Sequence, residues 1–453
     1  MTTTARLAEF VLKTTLADCP EPVLVQVRRA ALDTLGCMLA GAPEPVARIV
    51  REVARAEGGA PLCTVVGTSM RTAPTWAALA NGAAGHAHDF DDTNFALLGH
   101  PSVPLLATAL AAGEAEMADG ATVALAYVIG FEISAAMGRA LNPAHYERGW
   151  HATTSIGTLG CAAAAARVLG LDAGQTGHAL GIAASLASGL KENFGSMTKP
   201  YHAGHAARNG VLAARLAREG MTASASALEG RQGYAAAFSG AALPADIFER
   251  LGQRWELVSS GIAVKPYPSC ALTHAAIDAL LDLRTRHRLE PDAIDGVEVG
   301  VTHVVPSVLI HPAPTTALER KFSMQFCAAQ ALAEGRVDLA SFDDGPVPEP
   351  ARRLMPRVRM VVDPTLPDGL EQQAWCRVRV TLADGRVIGG TPNGAHGHPD
   401  HPLDAAALRE KFLACAAGVV SPDEAEAIAG QIDHLEDIPD IRALTSRLAG
   451  DAE

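Results

Sequence analysis

Apolar positions recur at a spacing of three and four over most of the first 240 residues. The segment 23–40 is the clearest case, with Val23, Val27, Ala31, Leu35, Met38 and Leu39 on one helical stripe. Pro20 and Pro22 stand at its start and Gly41 at its end, as helix boundaries require. The same period predicts helices over 74–84, 103–115, 121–140, 155–169, 173–190 and 203–218. Gly, Pro, Asn or Asp marks most of the breaks between them. Many stripe positions are Ala, which lets helix axes approach closely.

Period-two alternation takes over after Gly261. Residues 295–304, 358–362 and 375–382 read as strands. Ala383-Asp-Gly-Arg386 ahead of Val387 and Ile388 is a hairpin signal. Helical stretches over 273–288 and 322–334 sit among these strands, which predicts an α+β region. The helical period returns over 405–417, 422–435 and 438–448. Three short helices make a thin core alone, so they are expected to rejoin the first helical block. The predicted fold is therefore mainly α with a smaller α+β domain. Residues 1–262 and 404–453 form one large all-helical domain from both chain ends, with 263–403 inserted between them.

Composition narrows the function classes. A hydrophobic fraction of 48% with only 19% charged residues supports large cores and excludes disorder. The formal net charge of −13 gives no general attraction for nucleic acid. It gives none for an anionic substrate either, so a carboxylate site must create its own positive potential. No apolar run reaches about 18 residues, so no membrane span is expected. The start, MTTTARLAEFVLKTT, does not read as a signal peptide. The eight cysteines show no C-x-x-C pair, and no Asn-x-Ser/Thr acceptor occurs. Reduced thiols and a cytoplasmic protein are the expectation.

Four segments carry candidate chemistry. The densest runs His86-Ala-His-Asp-Phe-Asp-Asp-Thr93 and continues to His100. Clustered carboxylates raise one another's pKa, which suits acid–base catalysis. The same residues could ligate a metal or cap the following turn, and their spacing leaves all three readings open. The second segment, 147–157, places His151 before Thr153, Thr154 and Ser155, a cap that could also receive a carboxylate. Arg148 and Tyr146 lie just ahead of it. The third, 191–205, and the fourth, 264–274, hold Lys191, Lys199, Lys265 and His274. The chain has six lysines against 31 arginines, and four of the six fall in or beside irregular segments. Lysine is a compact charge whose pKa shifts on burial, so Lys199 and Lys265 are candidate substrate clamps.

Taken together these segments resemble the MmgE/PrpD family. The matching stretches are ALDTLGCMLAG (31–41), NGAAGHAHDFDDT (81–93), GHPS (99–102) and GWHATTSIGTLG (149–160). TKPYHAGHAARNG (198–210), VKPYPSCALTH (264–274) and KFSMQF (321–326) complete them. The resemblance implies a helical domain with an α+β lid, a homodimer, and no metal or organic cofactor. It places Asp89, Thr93, His100, His151 and Lys199 in a pocket and makes Lys265 an interdomain lysine. A tyrosine lines the pocket of the family's decarboxylases, and the matching position here reads as Phe326. The first motif also lacks the tryptophan-rich form of the 2-methylcitrate dehydratases.

The expected activity is a cofactor-independent, dehydratase-type lyase acting on a small di- or tricarboxylic acid. It would abstract a proton next to a carboxylate. Epimerisation of an amino- or imino-dicarboxylate is the alternative, and a non-catalytic helical binding protein the third reading. Asp89, His100, His151, Lys199 and Tyr146 are the expected catalytic set. Thr93, Lys265, Arg148, Arg208, His274 and Phe326 are the expected substrate contacts.

Overall fold

Small side chains let helices cross at backbone contact. In the computed structural model, which describes residues 1–367 and 375–450, the helix Pro74–Gly85 crosses the helix Thr198–Arg218 at Gly82 and Gly204. A Cβ on Gly82 would stand 2.5 Å from the Gly204 Cα, so neither position admits a side chain. The crossing brings His86, just past the first helix, beside Lys199 in the first turn of the second.

The main core is helical. Leu35, Met38, Tyr127, Phe131, Leu159 and Val211 are buried in it, from four helices. Phe412, Ile428, Ile441 and Leu444 enter the same core from the C-terminal end. Phe412 lies over Gly36, where a Cβ would come within 3.2 Å of its ring. Both chain ends thus contribute to one core. The helix Gly120–Leu141 has the length and apolarity to cross a membrane, but 89% of its most apolar stretch is buried inside the protein. A helix that is apolar all round and enclosed by other helices is a core helix.

A second core forms around a four-stranded sheet. Its strands are β3 (Ile294–Val301), β4 (Val358–Val362), β5 (Cys376–Leu382) and β6 (Val387–Gly389); β1 (Cys63–Thr64) and β2 (Arg71–Thr72) pair separately. The order is β4-β3-β5-β6, with β3 parallel to β4 and the other pairs antiparallel. Cys376, Val378, Val380 and Leu382 face inward on β5, as the alternation predicts. They pack with Ile277 and Leu280 of the helix His274–His287 and Leu332 of the helix Met324–Glu334. The fold is mainly α with a small α+β part.

Several boundaries differ from expectation. The predicted helix 203–218 begins earlier, at Thr198. Pro200 reads as a breaker but falls in the first helical turn, where its missing N–H costs nothing. The predicted helix 155–169 is two pieces, Ala152–Ser155 and Gly157–Val168. The stretch 438–448 is mostly irregular and retains one short helix, Arg442–Thr445. There the Ile438 carbonyl accepts from Gly120 N and Ile441 N donates to Ala118 O, tying the segment to the start of another helix. Residues 451–453, the end of the expected 404–453 segment, lie outside the described residues.

Candidate active site

The turn after the helix Pro74–Gly85 holds three carboxylates that do different things. Asp92 points away from the cavity and receives Ser102 N at 3.3 Å, at the start of the helix Ser102–Glu116. Ser102 Oγ donates to Asp92 and lies 2.7 Å from Tyr127 Oη. Burial, then the nearby Asp33 charge, pushes Asp92 up to about 8, so it keeps its proton at neutral pH. Asp92 is a capping residue. Asp91 receives His86 Nδ1 at 2.8 Å and lies 3.2 Å from His100 Nδ1.

Asp89 is the carboxylate that reaches the cavity. Its backbone is left-handed, with φ of 52°, a conformation that costs a non-glycine residue about 1–2 kcal/mol. Lys199 Nζ donates to its Oδ1 at 2.6 Å, and Lys265 Nζ stands 3.2 Å from the same oxygen. Burial alone would raise the Asp89 pKa. The charges of Lys199 and Lys265 outweigh it and hold the carboxyl well below its usual range. Its Oδ2 is buried and has no hydrogen-bond partner among the described residues, and neither has Thr93 Oγ1. Both residues line the cavity, so both atoms are available to a ligand.

The histidines are neutral. Burial, then the Lys199 charge, pushes His86 down to about 4 despite Asp91. His100 and His151 are also lowered, first by burial. His151 Nδ1 lies 3.1 Å from His202 Nδ1, which leaves Nε2 as its free nitrogen. Tyr146 joins them in the cavity wall, its hydroxyl pushed further up by burial and so fully protonated. Phe194, Leu272, Val304, Val308 and Phe322 add apolar surface to the same lining, with the Phe194 ring 5.0 Å from the His151 ring and the Phe322 ring 5.0 Å from Lys199 Nζ.

His86, Asp89, Asp91 and His100 present ligand-type atoms within 4.8 Å of one another, the metal reading the spacing left open. The chain's own cations already fill that role. Lys199 donates to His86 Nε2 at 2.9 Å as well as to Asp89, and Lys265 flanks the same carboxylate. A divalent ion would have to displace two buried ammonium groups.

The structure brings Asp89, Thr93, His100, Tyr146, His151 and Lys199 to one cavity, with Lys265 directly behind Asp89. Four expected contacts lie elsewhere. Arg148 is exposed and rests against Gly240. Arg208 sits over the Trp76 ring at 5.1 Å. It is nine residues from Lys199 on one helix, which turns it to the opposite face. His274 lies outside the cavity and holds the Ser269 carbonyl at 3.1 Å. Phe326 is wholly buried in the sheet core against Phe342. The aromatic of the KFSMQF stretch that lines the cavity is Phe322, which precedes the helix rather than entering it. Sequence reasoning also passed over His86 and Lys321 as site residues, although both stand in the motifs it singled out.

Comparison with known proteins agrees along the whole chain. The MmgE/PrpD N-terminal domain matches residues 5–245 and the MmgE/PrpD C-terminal domain matches residues 267–437. Cis-aconitate decarboxylase of Homo sapiens is 31% identical over 445 residues, covering 94% of this chain and 90% of that protein. The Mus musculus cis-aconitate decarboxylase is 30% identical, over 94% of this chain and 89% of its own. The Aspergillus terreus cis-aconitate decarboxylase is 25% identical, over 98% and 95%. The chain belongs to the MmgE/PrpD family.

Proposed function

We propose that this protein is a cofactor-independent lyase that decarboxylates a small unsaturated polycarboxylate, with cis-aconitate as the reference substrate. The observation that carries the reading is the mixed lining of the cavity. Lys199, Thr93, His100, His151 and Tyr146 offer polar groups, and Phe194, Leu272, Val304, Val308 and Phe322 set apolar surface among them. Carboxylates that stay on the product bind the polar groups. The one that leaves lies against the apolar side chains, where it loses hydration and CO2 forms without charge. The similarity to cis-aconitate decarboxylases in three organisms supports the same choice.

The electron count is simple. The bond from the allylic carbon to its carboxylate breaks and its pair becomes a new C=C. The old π pair moves toward the neighbouring carboxylate and forms an enediolate. Lys199 stabilises that charge, the main term in such reactions. A proton then completes the former alkene carbon. His100 supplies it. A bound polyanion raises the imidazole's proton affinity, and His100 lies 3.2 Å from Asp91 and 3.4 Å from Asp89, which help to charge it. His151 has no carboxylate beside it and acts as a neutral donor to the substrate.

In this reading residues 263–403 form a lid over a helical domain of 1–262 and 404–453. Cys270, Leu272, Val304, Val308 and Phe322, all from the middle segment, close the cavity from that side. The enzyme works as a cytoplasmic homodimer without metal.

One observation favours dehydration or epimerisation instead. Asp89 Oδ2 is unpartnered beside the cavity and could take a proton from carbon. NMR of cis-aconitate with the enzyme in deuterated water separates the readings. Decarboxylation gives CO2 and an isomeric alkene diacid carrying one deuterium. Deuterium exchange or hydration without CO2 sinks the decarboxylase reading. Inertness toward a panel of unsaturated, hydroxy and amino polycarboxylates sinks the lyase reading.

A further inference from the structure

Three lysines grip three consecutive carbonyls of the Asp89 turn. Lys321 Nζ donates to His88 O at 2.9 Å, Lys265 Nζ to Asp89 O at 2.7 Å, and Lys411 Nζ to Phe90 O at 2.7 Å. With Lys199 on the Asp89 side chain, four of the six lysines in the chain are spent on one turn. The left-handed Asp89 takes these carbonyls out of any helix or sheet ladder, so other donors must satisfy them in the interior. The donors come from three distant stretches of the chain, at 265, 321 and 411.

Lys321 differs from the other three. Lys199 and Lys265 pair with Asp89, and Lys411 pairs with Asp33. Lys321 is 3% exposed and makes no ion pair among the described residues. Its second bond goes to Pro268 O at 3.1 Å. Its own carbonyl receives Cys270 N at 3.0 Å. Cys270 and Leu272 line the same cavity as Asp89. A buried ammonium without a paired carboxylate is costly even with the Asp89 and Glu44 charges nearby, and a neutral apolar side chain would cost the core less. What the ammonium adds is a three-donor centre that joins the Asp89 turn to the 268–272 segment.

We propose that Lys321 is a positioning residue, a strap that holds the Asp89 turn in register with the wall at Pro268–Leu272. It touches no substrate. It acts through the placement of Asp89, and through Asp89 on Lys199 and His100. The inference rests on the reading that this cavity is the catalytic site.

The test compares Lys321→Met and Lys321→Ala with the wild type. Lys321→Met keeps the length of the side chain and removes the donors. The expected result is a kcat at least tenfold lower with KM changed by less than threefold, because substrate contacts remain. Ethylammonium added to Lys321→Ala restores at least a third of the lost rate. Tetramethylammonium, which carries charge without N–H donors, restores none. A Lys321→Met kcat within twofold of wild type overturns the proposal. So does a folded Lys321→Ala enzyme that ethylammonium leaves unchanged. If Lys321→Met does not fold, Lys321→Gln, which keeps two donors, carries the kinetic arm under the same thresholds. Crystal structures of wild type and variant give an arm independent of turnover, since the strap predicts that the Asp89 turn moves away from Pro268 in the variant. If the wild type turns over no polycarboxylate, the functional reading fails while this structural arm still decides the strap. An unmoved turn overturns it.

Discussion

Lys199 Nζ lies 2.9 Å from His86 Nε2, and an ammonium can only donate. His86 Nε2 is therefore the acceptor, and its proton sits on Nδ1, which faces Asp91 at 2.8 Å. Asp91, His86 and Lys199 form a line that aims the lysine at Asp89 and the cavity. Removing the middle member leaves Lys199 free to swing. His86→Ala is expected to lower kcat/KM by about 10–100-fold, the worth of one charge-assisted hydrogen bond of about 1.5–3 kcal/mol. Lys199→Met should lower it further, and Lys199→Arg should not restore it, because the planar guanidinium cannot serve His86 and Asp89 from one point. Steady-state kinetics on the three variants checks the order. A His86→Ala enzyme with wild-type kcat/KM would show that the line does not aim the lysine.

The two phenylalanines of the KFSMQF stretch should separate cleanly. Phe326→Ala removes a wholly buried ring from the sheet core and should cost about 3–5 kcal/mol of stability. At temperatures where the variant stays folded its kcat should be close to wild type. Phe322→Ala opens the cavity beside Lys199 to water and should lower kcat more than it lowers stability. Thermal melts beside kinetics decide it, and the reverse pattern would place Phe326 rather than Phe322 at the chemistry.

That pair also shows how far the sequence was legible. Periodicity identified the helical and α+β regions because burial imposes a period on each. The motifs singled out Asp89, Thr93, His100, His151 and Lys199, and the fold brings all five to one cavity. Motif reading failed where direction matters more than proximity. Arg208 shares a helix with Lys199 but faces the other way, and Phe326 turns into the sheet while Phe322, four residues earlier, faces the cavity. The grip of Lys321, Lys265 and Lys411 on one turn was invisible for another reason. Side-chain to backbone bonds between residues 176 to 321 positions apart leave no local pattern. Only the scarcity of lysine hinted at it.

Stability should fall on both sides of neutrality. His86, His88, His145 and His202 are pushed down to about 4, and His274 to about 3, chiefly by burial, from 6.5. Their unfolded forms bind more protons below pH 6.5, so stability drops as pH falls from 6.5 toward 4. Asp92 and Glu132 work in the opposite sense. Burial raises both to about 8, so the folded state holds protons that the unfolded state has lost. Stability therefore also declines as pH rises from 6.5 toward 8, by fewer groups and less steeply. Melting temperatures at half-unit steps from pH 5 to 9 should peak between about 6 and 7. A melting temperature that rises steadily up to pH 8 would contradict this balance of buried groups.

His202 should matter to turnover without touching the substrate. Its Nδ1 and that of His151 are 3.1 Å apart, and two neutral rings can share only one proton there. The pair therefore couples the tautomer of His151 to that of His202 and points the His151 Nε2 away from His202. Burial, with the nearby Lys199 charge, keeps His202 near 4, so it stays neutral at working pH and adds no charge to the site. His202→Leu deletes the partner and frees the His151 ring. The expected loss is about tenfold in kcat, the scale of one hydrogen bond of about 1.4 kcal/mol, with KM little changed. His202→Asn keeps a polar atom near the Nδ1 position that can donate or accept. It should recover most of the loss. Rescue by asparagine is the readout that a mere packing role would not give, since leucine fills the space better. Equal damage from both substitutions, or none from either, would mean that His151 is oriented by its ring contacts with His86 and Phe194 instead.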